Sequence, residues 1–375
     1  MQTPMNQHII IAQKAEGRKE EIESLRNIPD DIIHEVKKAG LVKKWAAKEY
    51  GGQESSVENV TDMIQSISYH NGSLAWVIAV TGCSSLFSGY LKEGQARSLF
   101  ADDKAMIGGF AGPAGMAVKT EKGLLVNGRW SWGSGISHCS HIVGGVALME
   151  EGRPIGTALI FMRPGEVTMH DNWHVLGLKG SHSVDYSVKD LVIPDDRWSM
   201  FPLKEAVIDA PIYRFSFLGA LSMSVASVGL GLAKRAIDEI EALAKVKSPF
   251  GFGKKLSERA IFQKEFAILN GQYKAATALF SQTIREGQAE VEQGLCSSKS
   301  KGAIRLASCH AIQMCTSVVN GAYQLGGGSA IRESSKLEEI MRDMNVVSQH
   351  GMVAPGNYRT VGALMLGNQV PEQML

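Results

Sequence analysis

The sequence predicts an α+β protein, mainly α, in which one β segment stands between two helical regions. Three observations carry this expectation. Apolar residues recur at three- and four-residue spacing over residues 8–104, and again from about 211 to the end. Between them lie short runs rich in Val, Ile, Thr and aromatics, parted by Gly, Pro and Asn. No strand–helix–strand alternation occurs, so a dinucleotide-binding parallel sheet is not expected. The implied domains are an N-terminal helical domain (1–104), a central antiparallel β domain (105–208) and a C-terminal helical bundle (209–375).

The elements follow in order. In KAEGRKEEIESLRNIPDDIIHEVKKAGL, Pro29 with Asp30 and Asp31 marks a helix start and Gly40 a stop. WAAKEYGGQESS is a turn-rich link. VENVTDMIQSISYHNGSLAWVIAVTGCSSLFSGYL reads as two buried helices broken at Asn71-Gly72. GLLVNGRWSW, HIVGGVALM, PIGTALIFM and DYSVKDLVIP supply strands. LGALSMSVASVGLGLAKRAIDEIEALAKV and LSERAIFQKEFAILNGQYKAATALFSQTIREGQAEVEQG are long enough for bundle helices. SCHAIQMCTSVVNGAYQLGG, a Gly-rich break and a last helix with NYRTVGALMLG complete the chain.

Composition removes several function classes. The 375 residues carry a net charge of +1, and no basic cluster interleaved with aromatics suggests nucleic acid. No eighteen apolar residues run unbroken and the N-terminus has no signal-like core, so neither a membrane span nor secretion is expected. Cys83, Cys139, Cys296, Cys309 and Cys315 form no CxxC pair, which fits free thiols in a cytoplasmic protein.

One stretch is dense in chemistry: NGRWSWGSGISHCSH, residues 127–141. If it runs as a strand, His138 and His141 point to opposite faces, and no Asp or Glu accompanies them, so no metal site is expected. No GxSxG elbow supports a serine hydrolase. LGGGS at 325–329 follows a helix and is not GxGxxG.

The layout resembles the acyl-CoA dehydrogenase superfamily on several motifs in the right order. These are NG RWSWGSG, FGKKLSERAIFQKEFA (252–267), and YQLGGGSAI followed by Arg342-Asp343. The resemblance implies a C-terminal four-helix bundle and a homotetramer. Two departures stand out. No carboxylate follows the Arg-Asp pair in RDMNVVSQHGMVAPGNYRTVG, where such dehydrogenases keep their base; His350 and Gly351 stand there. The arginine that precedes FGKP in that family is also absent, with Lys247 and Pro249 in its neighbourhood.

RWSWGSG, DNWHVLGLKGSHSVDYSVKDLVIPDDR and RDMNVVSQH together are similar to the oxygenase components of two-component flavin monooxygenases, a group that includes para-hydroxyphenylacetate hydroxylase and indole-oxidising enzymes. That resemblance implies reduced FAD (or FMN) delivered by a separate NAD(P)H:flavin reductase, a C4a-hydroperoxide formed with O2, and oxygenation of a small indole-like or phenol-like substrate. By it, Ser134 meets flavin N5 and Trp132, Trp173, Ser181 and His182 line the ring. His350 lies near the reacting oxygen and the substrate, and Gly327, Gly328 and Arg332 reach flavin from a loop. Trp76, Cys83 and Ser84 stand where phenol-hydroxylating relatives place pocket residues and a second histidine; its replacement here favours an electron-rich heteroaromatic. Read from residues alone, the alternatives stay open: Ser134 as a turn serine, Trp173 as core, Cys83 as a small core residue, and the glycine run as a helix cap. Rival functions are an acyl-CoA dehydrogenase with a displaced base, an N- or S-oxygenating monooxygenase, and a non-catalytic member of the fold.

Overall fold

The computed structural model describes residues 7–203, 205–249, 251, 253–294 and 296–375. Helices come first: α1 (Gln7–Glu16), α2 (Lys19–Leu25), α3 (Asp30–Lys38), α4 (Val57–His70), α5 (Gly72–Ser84) and α6 (Glu93–Phe100). The strands follow as β1 (Ile107–Thr120), β2 (Gly123–Gly133), β3 (His141–Glu150), β4 (Arg153–Met162), β5 (Thr168–Met169), β6 (Val184–Ile193) and β7 (Trp198–Phe201). Helices then return as α7 (Pro211–Arg214), α8 (Phe217–Val246), α9 (Ala260–Glu292), α10 (Ser298–Gly326), α11 (Lys336–Val347) and α12 (Asn357–Met365). Phe252 of the FGKK motif lies outside the described residues.

Local chemistry explains the predicted boundaries. Pro29 stands just before α3, and Gly40 ends it in the left-handed region at φ 65°. The break at Asn71 is a cap: its side-chain oxygen accepts the Leu74 amide at 2.8 Å and starts α5.

The chain divides into two compact units. The first takes Met1–Ser56, Val77–His174 and Lys179–Arg214; the second takes Val57–Trp76, Val175–Leu178 and Phe215–Leu375.

The first unit is built on the sheet, ordered β5-β6-β2-β1-β3-β4-β7. The expectation of a purely antiparallel sheet is corrected here, because β1 and β3 run parallel. The tight β1–β2 hairpin, with Thr120 opposite Gly123, fills one edge of β1. The chain then turns through a 3-10 segment, Ile136–His138, and re-enters on the other edge in the direction of β1. Paired contacts between Ser140 and Met106 hold that re-entry: amide to carbonyl at 2.8 Å, and hydroxyl accepting an amide at 3.2 Å. Trp130 centres this layer. Its indole N–H donates to the Gly145 carbonyl at 2.7 Å, and its ring stacks on Tyr186 with centroids 5.3 Å apart. Gly115 and Gly128 make room for it, since a Cβ there would fall 2.5 and 2.7 Å from the ring.

In the second unit α8, α9, α10 and α11 pack as the bundle, with α4 laid on α8. Close approach rests on small residues. A Cβ at Gly231 would meet the Gln65 carbonyl at 2.4 Å, and the Ser68 hydroxyl donates to the Val228 carbonyl at 2.6 Å. Two segments, Gly72–Gly89 and Phe217–Val246, are long and apolar enough to cross a membrane by length and composition. Both are mostly buried within the protein, which accounts for their apolar surface as core.

Candidate functional site: two sets of side chains

Trp130 and Trp132 stand two residues apart in β2 and would share a face in a regular strand. They do not. The pairing of β2 with β6 slips between Trp130 and Gly133, and Trp132 adopts φ 63°. Its indole is 65% exposed, edge-on to Phe110 at 6.2 Å. A bulky residue at positive φ costs about 1–3 kcal/mol and is retained where the surrounding structure enforces it.

The following Ser134 is buried, its amide bonded to the Trp132 carbonyl at 2.9 Å. Its hydroxyl lies 2.7 Å from that of Ser183, which lies 2.8 Å from that of Ser181. The Gly135 amide donates to the Ser181 carbonyl at 2.9 Å, closing the turn onto this chain of three hydroxyls. His182, between the two serines, sits at φ 45°; its buried Nδ1 has no hydrogen-bond partner among the described residues. Burial, then the Arg26 charge, push its pKa down. Trp173 is half-buried, and its carbonyl accepts from Arg26 at 3.5 Å. Cys83 and Ser84 end α5 as buried residues.

The reading of residues 127–141 as one strand is corrected. The strand stops at Gly133, His138 belongs to the 3-10 turn and His141 opens β3, so the two-face argument does not apply. His138 Nε2 lies 2.9 Å from Asn27 Oδ1, and its Nδ1 lies 3.2 Å from Asp30. Among the described residues no group of three or more His, Cys, Asp or Glu could hold a metal.

The second unit carries the other set. His350 precedes the 3-10 turn Gly351–Val353 and caps it: Nδ1 accepts the Met352 amide at 3.2 Å. Trp76, buried, meets the imidazole edge-on with centroids 5.3 Å apart. Burial first, and then the Arg305 charge, push the His350 pKa down to about 4. The Arg342-Asp343 pair serves a different purpose. Asp343 Oδ1 accepts the Leu178 amide at 2.6 Å, and Arg342 donates to the Leu176 carbonyl at 3.0 Å. The pair thus pins the end of DNWHVLGL onto α11, with burial and then Glu339 raising the Asp343 pKa to about 7.

Gly327 closes α10 at φ 53°, its amide bonded to the Gln324 carbonyl, while Lys247 takes the Gly326 carbonyl at 2.7 Å. That is a helix cap. Gly328 and Arg332 are exposed on the same turn.

The structure therefore joins Ser134 with Ser181, and Trp76 with His350. It leaves Gly327, Gly328 and Arg332 on a surface turn at the end of α10. Two residues escaped the list of candidates read from the sequence. Ser183, the centre of the hydroxyl chain, is visible only as the third polar residue of SHS. Arg305 has a sequence signal: GAIRLASCH offers it no acidic residue three or four positions away on the helix.

His138 is also driven down to about 4, burial of its ring outweighing Asp30. The sign is set by the unfolded chain, whose histidines take a proton near 6.5 while these two stay neutral when folded. Acidification from about pH 6.5 toward 4 is expected to lower the urea midpoint progressively. A midpoint constant over that window would contradict the burial of both rings.

Residues 223–355 match the model of the acyl-CoA dehydrogenase C-terminal domain. Butyryl-CoA dehydrogenase from Megasphaera elsdenii superposes over 98% of this chain and 99% of its own, with a TM-score of 0.80 at 16% identity. The fold is that of the acyl-CoA dehydrogenases, and the chain is similar to their C-terminal domain over the matched residues. The chain is 27% identical to indole-3-acetate monooxygenase of Acinetobacter baumannii, over 92% of this chain and 90% of that one. XiaF from a Streptomyces species, solved with FADH2 and glycerol, superposes with a TM-score of 0.92 at 20% identity, covering 98% and 97% of the two chains. No carboxylate lies between the Arg342-Asp343 pair and His350 in this chain.

Proposed function

We propose that this protein is the oxygenase component of a two-component flavin-dependent monooxygenase acting on a small indole-like aromatic. One observation carries the proposal: a neutral histidine, His350, packed edge-on against Trp76, stands where dehydrogenases of the fold keep a carboxylate base. The likeness to indole-3-acetate monooxygenase along nearly the whole chain supports the same reading.

Reduced flavin, when bound, supplies the activation of oxygen. The residues of the first unit fit a flat, polar-edged ring. Trp132 offers an exposed indole, Ser134 a hydroxyl whose orientation Ser183 fixes, and His182 a buried Nδ1 still open to a partner. The work of this chain is to hold the ring, exclude water and offer hydrogen bonds at fixed atoms. The cofactor is reduced FAD in this proposal, with FMN as the alternative; a separate NAD(P)H:flavin reductase supplies it in the cytoplasm. The active form is a homotetramer. Ile261, Ile268 and Leu279 are exposed on one face of α9, seven and eleven residues apart, as an inter-subunit seam requires.

The deciding experiment mixes anaerobically reduced FAD with the protein, admits oxygen and follows absorbance. The expected result is a long-lived transient distinct from free reduced and oxidised flavin, discharged faster when an indole is present. Reoxidation at the rate of free flavin, with FAD and with FMN, would overturn the proposal. Ser134→Ala is expected to shorten that transient about tenfold, because one oriented hydroxyl contributes about 1.5 kcal/mol. Ser183→Ala, which removes one hydrogen-bond partner of the Ser134 hydroxyl, is expected to shorten it less.

A further inference from the structure

Arg305 lies on α10, 3% exposed, and no carboxylate answers it among the described residues. Its Nη2 donates to Asn357 Oδ1 at 2.5 Å and its Nη1 to the Met352 thioether at 3.2 Å, a weak acceptor. Its Nε is buried without a hydrogen-bond partner among the described residues. A buried guanidinium left without an anion is costly. This one grips the turn that starts at His350.

The same turn settles the proton on the imidazole. The Met352 amide donates to His350 Nδ1, so Nδ1 is an acceptor. A neutral imidazole has one acceptor nitrogen and one N–H, and the hydrogen therefore sits on Nε2. We propose that Arg305 is a positioning residue that, through Met352 and its own charge, holds His350 as the neutral Nε2–H tautomer. His350 then works as a hydrogen-bond donor to a reacting oxygen, and not as a proton-accepting base.

The groups around the ring agree. From α10 come Arg305 and the Cys309 thiol, whose sulfur lies 3.9 Å from the Met352 and Ala354 carbonyls. From α12 come Asn357 and Tyr358, the latter bonded to Gln313 at 2.9 Å. From α5 comes the uncharged Trp76. Residues 217–233 of α8, which packs against this turn, include no titratable side chain. On α11, Asp343 is committed to Leu178 and Arg342 to Glu338. A proton on His350 would stand beside Arg305 with no counter-charge, which is the direction its lowered pKa already shows.

The donor's task at an oxygen rests on the function proposed above; its tautomer and titration do not. The test is 15N NMR of the full chain labelled at histidine, with the His350 signals assigned by their loss in His350→Gln. The expected spectrum from pH 6 to 8 has a protonated Nε2 and an unprotonated Nδ1. A cationic ring at pH 7, or a proton on Nδ1, would overturn the proposal. Arg305→Gln is expected to raise the titration midpoint by about one unit, the scale of one nearby charge, while Arg305→Lys leaves it near the wild-type value. Asn357→Asp, which neutralises the guanidinium in place, raises it as well and covers the case in which Arg305→Gln does not fold. Midpoints unchanged in both charge-neutralising variants would remove Arg305 from the role. A wild-type Nε2–H tautomer without any oxygen-dependent flavin transient would retain this inference and defeat only the proposed function.

Discussion

His350→Ala is expected to lower product formed per flavin oxidised by about 10²-fold, the usual loss when one fixed hydrogen-bond donor is deleted from a reacting centre. Flavin itself should still bind within about twofold of wild type, because His350 is not among the ring-binding residues proposed above. The variant also deletes the acceptor of the Met352 amide, so the turn Gly351–Val353 loses its cap as well as its chemistry. His350→Gln separates the two losses. Its amide can both accept and donate, so a glutamine that restores much of the coupling would identify hydrogen bonding as the contribution. The pH profile gives an independent check. With the ring neutral down to about pH 4, wild-type coupling should be flat between pH 6 and 8 and fall only on strong acidification. Hydrogen peroxide released in place of product is the readout, and normal coupling in His350→Ala would remove this residue from the site.

The parts of this molecule legible in its sequence are those fixed by neighbours along the chain. Pro29 and Asp30, Asn71 and Gly40 mark helix ends because caps and left-handed glycines are local devices. The parallel pairing of β1 with β3 was not legible. It depends on which edge of β1 remained free after the β2 hairpin formed, and strand periodicity does not report that. His350 could be named from its place after Arg342-Asp343, yet its tautomer needed the Met352 amide two residues on. Arg305 shows the same limit from the other side. Its lack of acidic partners on α10 is written in the sequence, but its grip on Met352 and Asn357 joins positions 47 and 52 residues away. The Arg342-Asp343 pair, recognisable as a motif, turned out to work as an anchor for Leu176 and Leu178.

The two tryptophans of β2 are expected to separate stability from binding. Trp130→Ala should destabilise the protein by about 3–5 kcal/mol, the range for deleting a fully buried large aromatic. It leaves a void beside Gly115 and Gly128, where a wild-type Cβ would not fit, and strips the Gly145 carbonyl of its donor. Trp130→Phe should recover most of the packing and still lose about 1 kcal/mol with the hydrogen bond to that carbonyl. Trp132→Ala is the opposite case. An indole 65% exposed contributes little to folding, so its urea midpoint should stay within about 0.5 kcal/mol of wild type. Relief of positive φ does not follow, since alanine at φ 63° is strained like any residue with a Cβ. Trp132→Gly removes both the ring and the strain and should be the more stable of the two. What both variants lose is reduced-flavin affinity, by about three- to tenfold, the scale of one aromatic stacking contact. The measurement pairs urea unfolding with anaerobic flavin titration of the same preparations. Unchanged flavin affinity in Trp132→Ala would show that the exposed indole serves another purpose. The strained, solvent-facing conformation of Trp132 beside a fully packed Trp130 would then belong to a different ligand.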